Sequence, residues 1–67
     1  MKIYFNNELI DLPSDYMSLS QFLEWKGLKT SGTAIAVNNK VIRKMAWDST
    51  FLNDEDRITV ITAAYGG

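Results

Sequence analysis

The 67-residue sequence contains no cysteine and no histidine, and only one proline. Without cysteine there is no disulfide framework, no thiolate metal site and no thiol nucleophile. Without histidine the commonest general base near neutral pH is missing. Carboxylates remain, but Asp54, Glu55 and Asp56 fall together in one short polar run. That run reads as a solvated turn, since a calcium loop spaces its oxygen ligands at regular intervals. No metal site is expected, and these absences weigh against a self-contained enzyme. Charge of one sign is also lacking: seven basic and eight acidic residues leave a net −1. Nucleic acid as a partner is not expected, because it calls for a clustered basic surface. Apolar stretches are too short to span a bilayer, so no membrane segment is expected. The opening Met1-Lys2-Ile3 runs straight into alternating residues, so no signal peptide is expected either. The expected location is cytoplasmic.

What is present has the balance of an ordinary globular domain, with 46% hydrophobic and 22% charged residues. A domain this small buries only ~60% of the surface its unfolded chain exposes, so a deep enclosed active site is not expected.

Lys2-Ile3-Tyr4-Phe5-Asn6 alternates polar and apolar residues, the period of a half-buried strand. Tyr4 falls on the opposite face from Ile3 and Phe5. Asn6-Asn7-Glu8 has turn chemistry, and Leu9 to Leu12 reads as the returning strand of a hairpin that Pro13-Ser14-Asp15 ends. Ser18-Leu19-Ser20-Gln21 has the spacing of a capping box, with Leu19, Phe22 and Leu23 on one helical face. Gly27 stands where a left-handed residue ends a helix, so the helix is placed at 18–26. Trp25 lies off its apolar face.

Thr33-Ala34-Ile35-Ala36-Val37 is a β-rich run with Ile35 and Val37 on one face and the alanines on the other. Asn38-Asn39 marks a turn and Lys40-Val41-Ile42 a short strand. Ala46 to Leu52 suggests a single helical turn placing Trp47, Phe51 and Leu52 in the core. After the polar turn, Arg57 to Thr62 is the strongest strand, with Ile58 and Val60 inward and Thr59 and Ile61 outward.

The sequence closes on Gly66-Gly67. Glycine has no Cβ, so such a tail can be drawn through a narrow channel. The α-carboxylate of Gly67, with an ordinary pKa of ~3.5, is ionised at neutral pH. A frayed terminus that happens to end in glycine is the plainer alternative.

The order of elements is hairpin, helix, two strands, a short helical turn and a last strand. With Ala34-Ile35-Ala36-Val37-Asn38-Asn39-Lys40-Val41-Ile42, with Trp47 nine residues before Asp56, and with Arg57 to Gly67 matching without a gap, the chain resembles the ubiquitin-like ThiS sulfur carriers of thiamin biosynthesis. Two departures stand out: Glu55 replaces the glycine of that family's usual Asp-Gly-Asp turn, and Arg43 replaces a proline often found after the short strand.

The resemblance implies an α+β, β-grasp (ubiquitin-like) fold: a mixed sheet of four to five strands with one main helix on one face, and the first and last strands parallel neighbours at its centre. It divides the chain into a β-grasp domain, 1–63, and a flexible tail, 64–67. It also implies a function as protein cosubstrate. Gly67 would be adenylated by a ThiF-like adenylyltransferase that uses ATP, with no cofactor bound to the carrier itself. A cysteine desulfurase-derived persulfide would then supply sulfur, and a ThiG-like thiazole synthase would consume the thiocarboxylate. Gly66, Tyr65 and Ala64 would thread into the partner, or Tyr65 would fold back onto the sheet edge. Tyr4, Ala34, Ala36, Thr59, Ile61 and Ala63 would form the partner-docking face, or Ile61 would merely pack beside a neighbouring strand. Other readings of the same tail are a molybdopterin synthase small subunit, a ubiquitin-like modifier, and a non-covalent interaction module. A cysteine-free carrier also has no thiol to attack its own activated end.

Overall fold

The computed structural model describes residues 1–62. The expectations for Ala63, Ala64, Tyr65, Gly66 and Gly67 lie outside the described residues. The elements are β1 (Lys2–Phe5), β2 (Glu8–Asp11), α1 (Leu19–Lys26), β3 (Thr33–Val37), β4 (Lys40–Ile42), a 3₁₀ helix (Lys44–Ser49) and β5 (Arg57–Thr62). The five strands form one mixed sheet in the order β2-β1-β5-β3-β4. β1 and β5 are parallel at its centre, and every other pairing is antiparallel. This is the β-grasp arrangement that the resemblance implies.

Both hairpins turn on asparagine pairs. Asn6 and Asn7 have φ of 48° and 70°, and Asn38 and Asn39 have 52° and 69°. Two consecutive left-handed residues are what a two-residue hairpin needs to match strand twist, and asparagine tolerates that region better than most.

The helix is bounded by local chemistry at both ends. The Gln21 N–H donates to Ser18 Oγ at 3.1 Å and the Ser18 N–H donates to Gln21 Oε1 at 2.9 Å. At the other end the Gly27 N–H donates to the Glu24 carbonyl at 3.0 Å and the Leu28 N–H to the Leu23 carbonyl at 3.1 Å. This pair of bonds is a Schellman closure around Gly27, whose φ is 72°. A Cβ at Gly27 would meet nothing within 4 Å, so a substitution there strains the backbone and not the packing. Gly27→Ala is expected to lower stability by about 1 kcal/mol, read from the urea midpoint. An unchanged midpoint would mean the helix does not end in this conformation.

Leu19, Phe22 and Leu23 point from α1 onto Ile3, Ile35 and Ile58 of the sheet. Phe22 is fully buried and meets Phe5 edge-on at 5.6 Å between ring centres. Trp47 completes the core from the 3₁₀ helix, and its indole Nε1 donates to the Ile42 carbonyl at 2.9 Å. Trp25 is half-exposed.

Two expectations need correction. Phe51 is not core: it is 42% exposed and stacks on Tyr16 with ring centres 4.7 Å apart. The 3₁₀ helix stops at Ser49 and the chain is extended at Thr50, so residues alternate there instead of following a helical period. Phe51 bridges to Ser18 as a single antiparallel pair and faces out, while Leu52 faces in. Asp56 is not part of a solvated run. It is only 8% exposed, and its carboxylate accepts from the Asn53 N–H at 2.7 Å and from Asn38 Nδ2 at 3.0 Å. Glu55 has φ of 69°, the left-handed conformation for which glycine is the least strained residue.

No helix among the described residues is long and apolar enough to cross a membrane.

Candidate functional site

Strand β5 is the last described element before Gly66-Gly67 in the sequence, so what holds β5 in the sheet bears on the site. Two asparagine side chains hold it, one from each hairpin turn. On the β3 side, the Arg57 N–H donates to Asn38 Oδ1 at 2.9 Å, and the Asn38 N–H donates to the Arg57 carbonyl at 2.7 Å. The Asn38 amide also donates to buried Asp56, so the start of β5 is tied to the β3–β4 turn at three points. On the β1 side, the Val60 N–H donates to Asn6 Oδ1 at 3.0 Å. Sequence reasoning assigned these asparagines to turns alone. Their second role was invisible because it spans 54 residues for Asn6 and 19 for Asn38.

The sheet face away from α1 is the other candidate surface. Strand pairing sets Tyr4 beside Arg57 on β5, Thr59 opposite Ala36, and Ile61 opposite Ala34. Thr59 and Ile61 are exposed, and Tyr4 and Ala34 are partly exposed. Ala36 is only 5% exposed, so it forms the floor of this face and presents little of itself to a partner. Ala63 lies outside the described residues.

Two exposed residues missing from the expected set widen the patch. Leu9 pairs with Tyr4 across β1–β2, and Val41 pairs with Ala36 across β3–β4. Alternation against inward Ile10 and Ile42 was the signal that could have found both. The Arg57 guanidinium lies 4.7 Å over the Tyr4 ring, placing one positive charge beside the apolar residues and Thr59 of this face.

The ThiS family profile matches residues 3–67, nearly the whole chain and including Gly66 and Gly67. The chain belongs to the ThiS family. A relative from Porphyra purpurea named "Uncharacterized protein ycf40" is 30% identical over 54 residues, covering 81% of this chain and 76% of that protein. The crystal structure of the thiamine biosynthesis protein ThiS from Geobacter metallireducens superposes with a TM-score of 0.89 at 17% identity, over the whole of both chains. The solution structure of a thiamine biosynthesis protein from the same organism gives 0.79 at 17% identity, over this whole chain and 88% of that one. At that identity the likeness establishes a shared fold, with the β-grasp sheet and single helix.

Two of the grooves among the described residues of this ThiS-family chain take no lining from β5. One, lined by Met1, Lys2, Asp11, Asp15 and Asp54, sits where β1 begins, at the opposite end of the parallel β1–β5 pair. There the Met1 amine donates to Asp15 Oδ1 at 2.8 Å. That hydrogen bond raises the amine's pKa and holds the Asp15 carboxyl below its ordinary value. The other groove lies between α1 and the 3₁₀ helix and is closed at one side by a hydrogen bond from Ser20 to Asp48. Among the described residues no group of acidic side chains is placed to hold a metal ion.

Proposed function

We propose that this chain is the sulfur carrier of thiamin biosynthesis, serving the step that builds the thiazole ring. Membership of the ThiS family supports a thiamin-biosynthesis sulfur carrier that is not itself a catalyst, and the observation carrying the reading is that the match runs through Gly66-Gly67. In this reading residues 1–63 are a folded handle and 64–67 a flexible tail.

The chemistry follows from the Gly67 carboxylate. Its charge is shared by two oxygens, which makes it a poor electrophile. A ThiF-like adenylyltransferase lets one of those oxygens attack the α-phosphorus of ATP, forming the acyl-adenylate and releasing pyrophosphate. A persulfide derived from a cysteine desulfurase attacks the activated carbonyl, and AMP leaves with the oxygen. A thiol then reduces the sulfur–sulfur bond, freeing a thiocarboxylate at Gly67. A ThiG-like thiazole synthase takes that sulfur as a nucleophile. Gly66 supplies clearance in both active sites, because it has no Cβ. Tyr65 and Ala64 line the tail's passage into the partner.

Tyr4, Ala34, Thr59, Ile61 and Ala63, over the floor of Ala36, form the docking face in this proposal. Small side chains let a partner approach the sheet closely, and a mainly apolar face suits a transient interface. Ile61→Arg is expected to slow conversion by an adenylating enzyme at least about tenfold while leaving the thermal midpoint unchanged, since a charge would be desolvated against an apolar partner. Equal rates for the two proteins would remove this face from the interface.

The reading itself is tested by intact mass. The chain is incubated with a cognate adenylating enzyme, ATP, a sulfur donor and a reducing thiol. Replacement of one oxygen by sulfur is expected. An unchanged mass with an enzyme competent on a known carrier, or attachment to other proteins, would contradict it.

A further inference from the structure

We infer that the last three residues of β5 present a free strand edge that pairs with an extended segment of the enzyme receiving the Gly67 carboxyl group, an inference that rests on the function proposed above. On its β3 side β5 is paired along its length, from Val37 with Ile58 to Thr33 with Thr62. On its β1 side only two pairs form, Tyr4 with Arg57 and Phe5 with Ile58. β1 ends there because Asn6 and Asn7 turn left-handed and carry the chain away into β2.

Backbone groups along a strand point alternately to its two neighbours. Arg57 bonds to Asn38, on the β3 side, so the N–H and C=O of Thr59 and Ile61 also face β3. Ile58, Val60 and Thr62 face the β1 side. The Ile58 carbonyl accepts from the Asn6 N–H at 2.9 Å, and the Val60 N–H donates to Asn6 Oδ1. Asn6 thus fills the last rung of the parallel ladder, with its side chain replacing the carbonyl its turn has rotated away. The next acceptor and donor on that edge are the Val60 C=O and the Thr62 N–H. Among the described residues neither has a strand partner on this side.

With the Val60 N–H already occupied, a rung that uses both the Val60 C=O and the Thr62 N–H has the parallel pattern. A single incoming residue donates to Val60 and accepts from Thr62, continuing what Asn6 does one step earlier. Strand addition of this kind is read through the main chain and so makes few demands on the side chains of either partner.

The occupant follows from reach. Five residues, Ala63 to Gly67, separate the edge from the reacting carboxyl group. Fully extended they span at most ~17 Å. An enzyme whose catalytic atoms touch Gly67 therefore brings its surface up to the end of β5. Pairing at Val60 and Thr62 would aim the tail into the active site, whereas contacts on the sheet face alone leave its direction open.

The test is residue-resolved amide exchange by NMR on the full chain, free and bound to an adenylating enzyme shown by mass to form the thiocarboxylate on the wild type. In the free chain the Thr62 N–H is expected to exchange faster than those of Thr59 and Ile61. In the complex it is expected to slow by at least about tenfold, as a newly formed strand bond requires. Thr62→Pro, which lacks the N–H, is expected to bind at least about tenfold more weakly, while Thr62→Ala, which keeps it, binds like the wild type. Thr62 exchanging equally fast free and bound would overturn the inference and leave the proposed function standing. Protection in the free chain that grows with its concentration would assign the edge to a second copy and overturn it too. A wild-type chain that no such enzyme converts would overturn both.

Discussion

Removal of Gly67 is expected to reduce thiocarboxylate formation below detection while the folded body keeps its stability. The reacting carbonyl would then belong to Gly66 and sit about 3.5 Å short of its former position. Acyl activation needs the attacking oxygen about 3–3.5 Å from phosphorus and in line, so a displacement of that size removes the productive geometry. The core that sets stability ends before the tail: Ile3, Leu19, Phe22, Ile35 and Ile58 are its fully buried centre. The thermal midpoint of the truncated chain should match the wild type, in keeping with the small effects of changes away from packed residues. Full conversion of the truncated chain would show that the sulfur is carried elsewhere.

The largest loss of stability is expected from Phe22→Ala. Phe22 has no exposed surface, sits at the centre of the inward face of α1, and touches the rings of Phe5 and Trp25. Truncating a buried phenylalanine costs about 3–5 kcal/mol, because contacts are lost and the cavity only partly collapses. A domain of this length holds about 3–10 kcal/mol in total, so the variant is expected to lose about half or more of its stability. A urea titration followed by far-UV circular dichroism checks this. A loss below about 1 kcal/mol would contradict the packing of α1 on the sheet. The comparison with the Gly67 deletion is informative: one change removes the reacting group and spares the fold, and the other weakens the fold and leaves the reacting group in place.

Much of this architecture was legible because its signals are local. The Ser18–Gln21 capping box, Gly27 and the two Asn-Asn turns each settle a boundary within a few residues. Alternation in Arg57–Thr62 correctly separated Ile58 and Val60 from Thr59 and Ile61. The parallel pairing of β1 with β5 came from the family resemblance, since no periodicity specifies which strands are neighbours. What stayed hidden depends on contacts between distant segments. Asp56 looked like a solvated residue until Asn38 and the Asn53 amide were seen around it. Phe51 looked like core because a helical period was carried past Ser49, where the chain becomes extended. On the docking face, Leu9 and Val41 required the cross-strand register that places them beside Tyr4 and Ala36. Glu55 shows the converse, a residue that family resemblance flags as unusual and that adopts a left-handed conformation.

Fragment mass spectrometry of the terminal peptide, after reaction with the adenylating enzyme, ATP, a sulfur donor and a reducing thiol, addresses the central idea at the atom concerned. A single sulfur in place of oxygen on the final glycine is the outcome expected here. Sulfur on any internal residue, or a terminal peptide left unaltered beside a positive-control carrier that reacts, would contradict it.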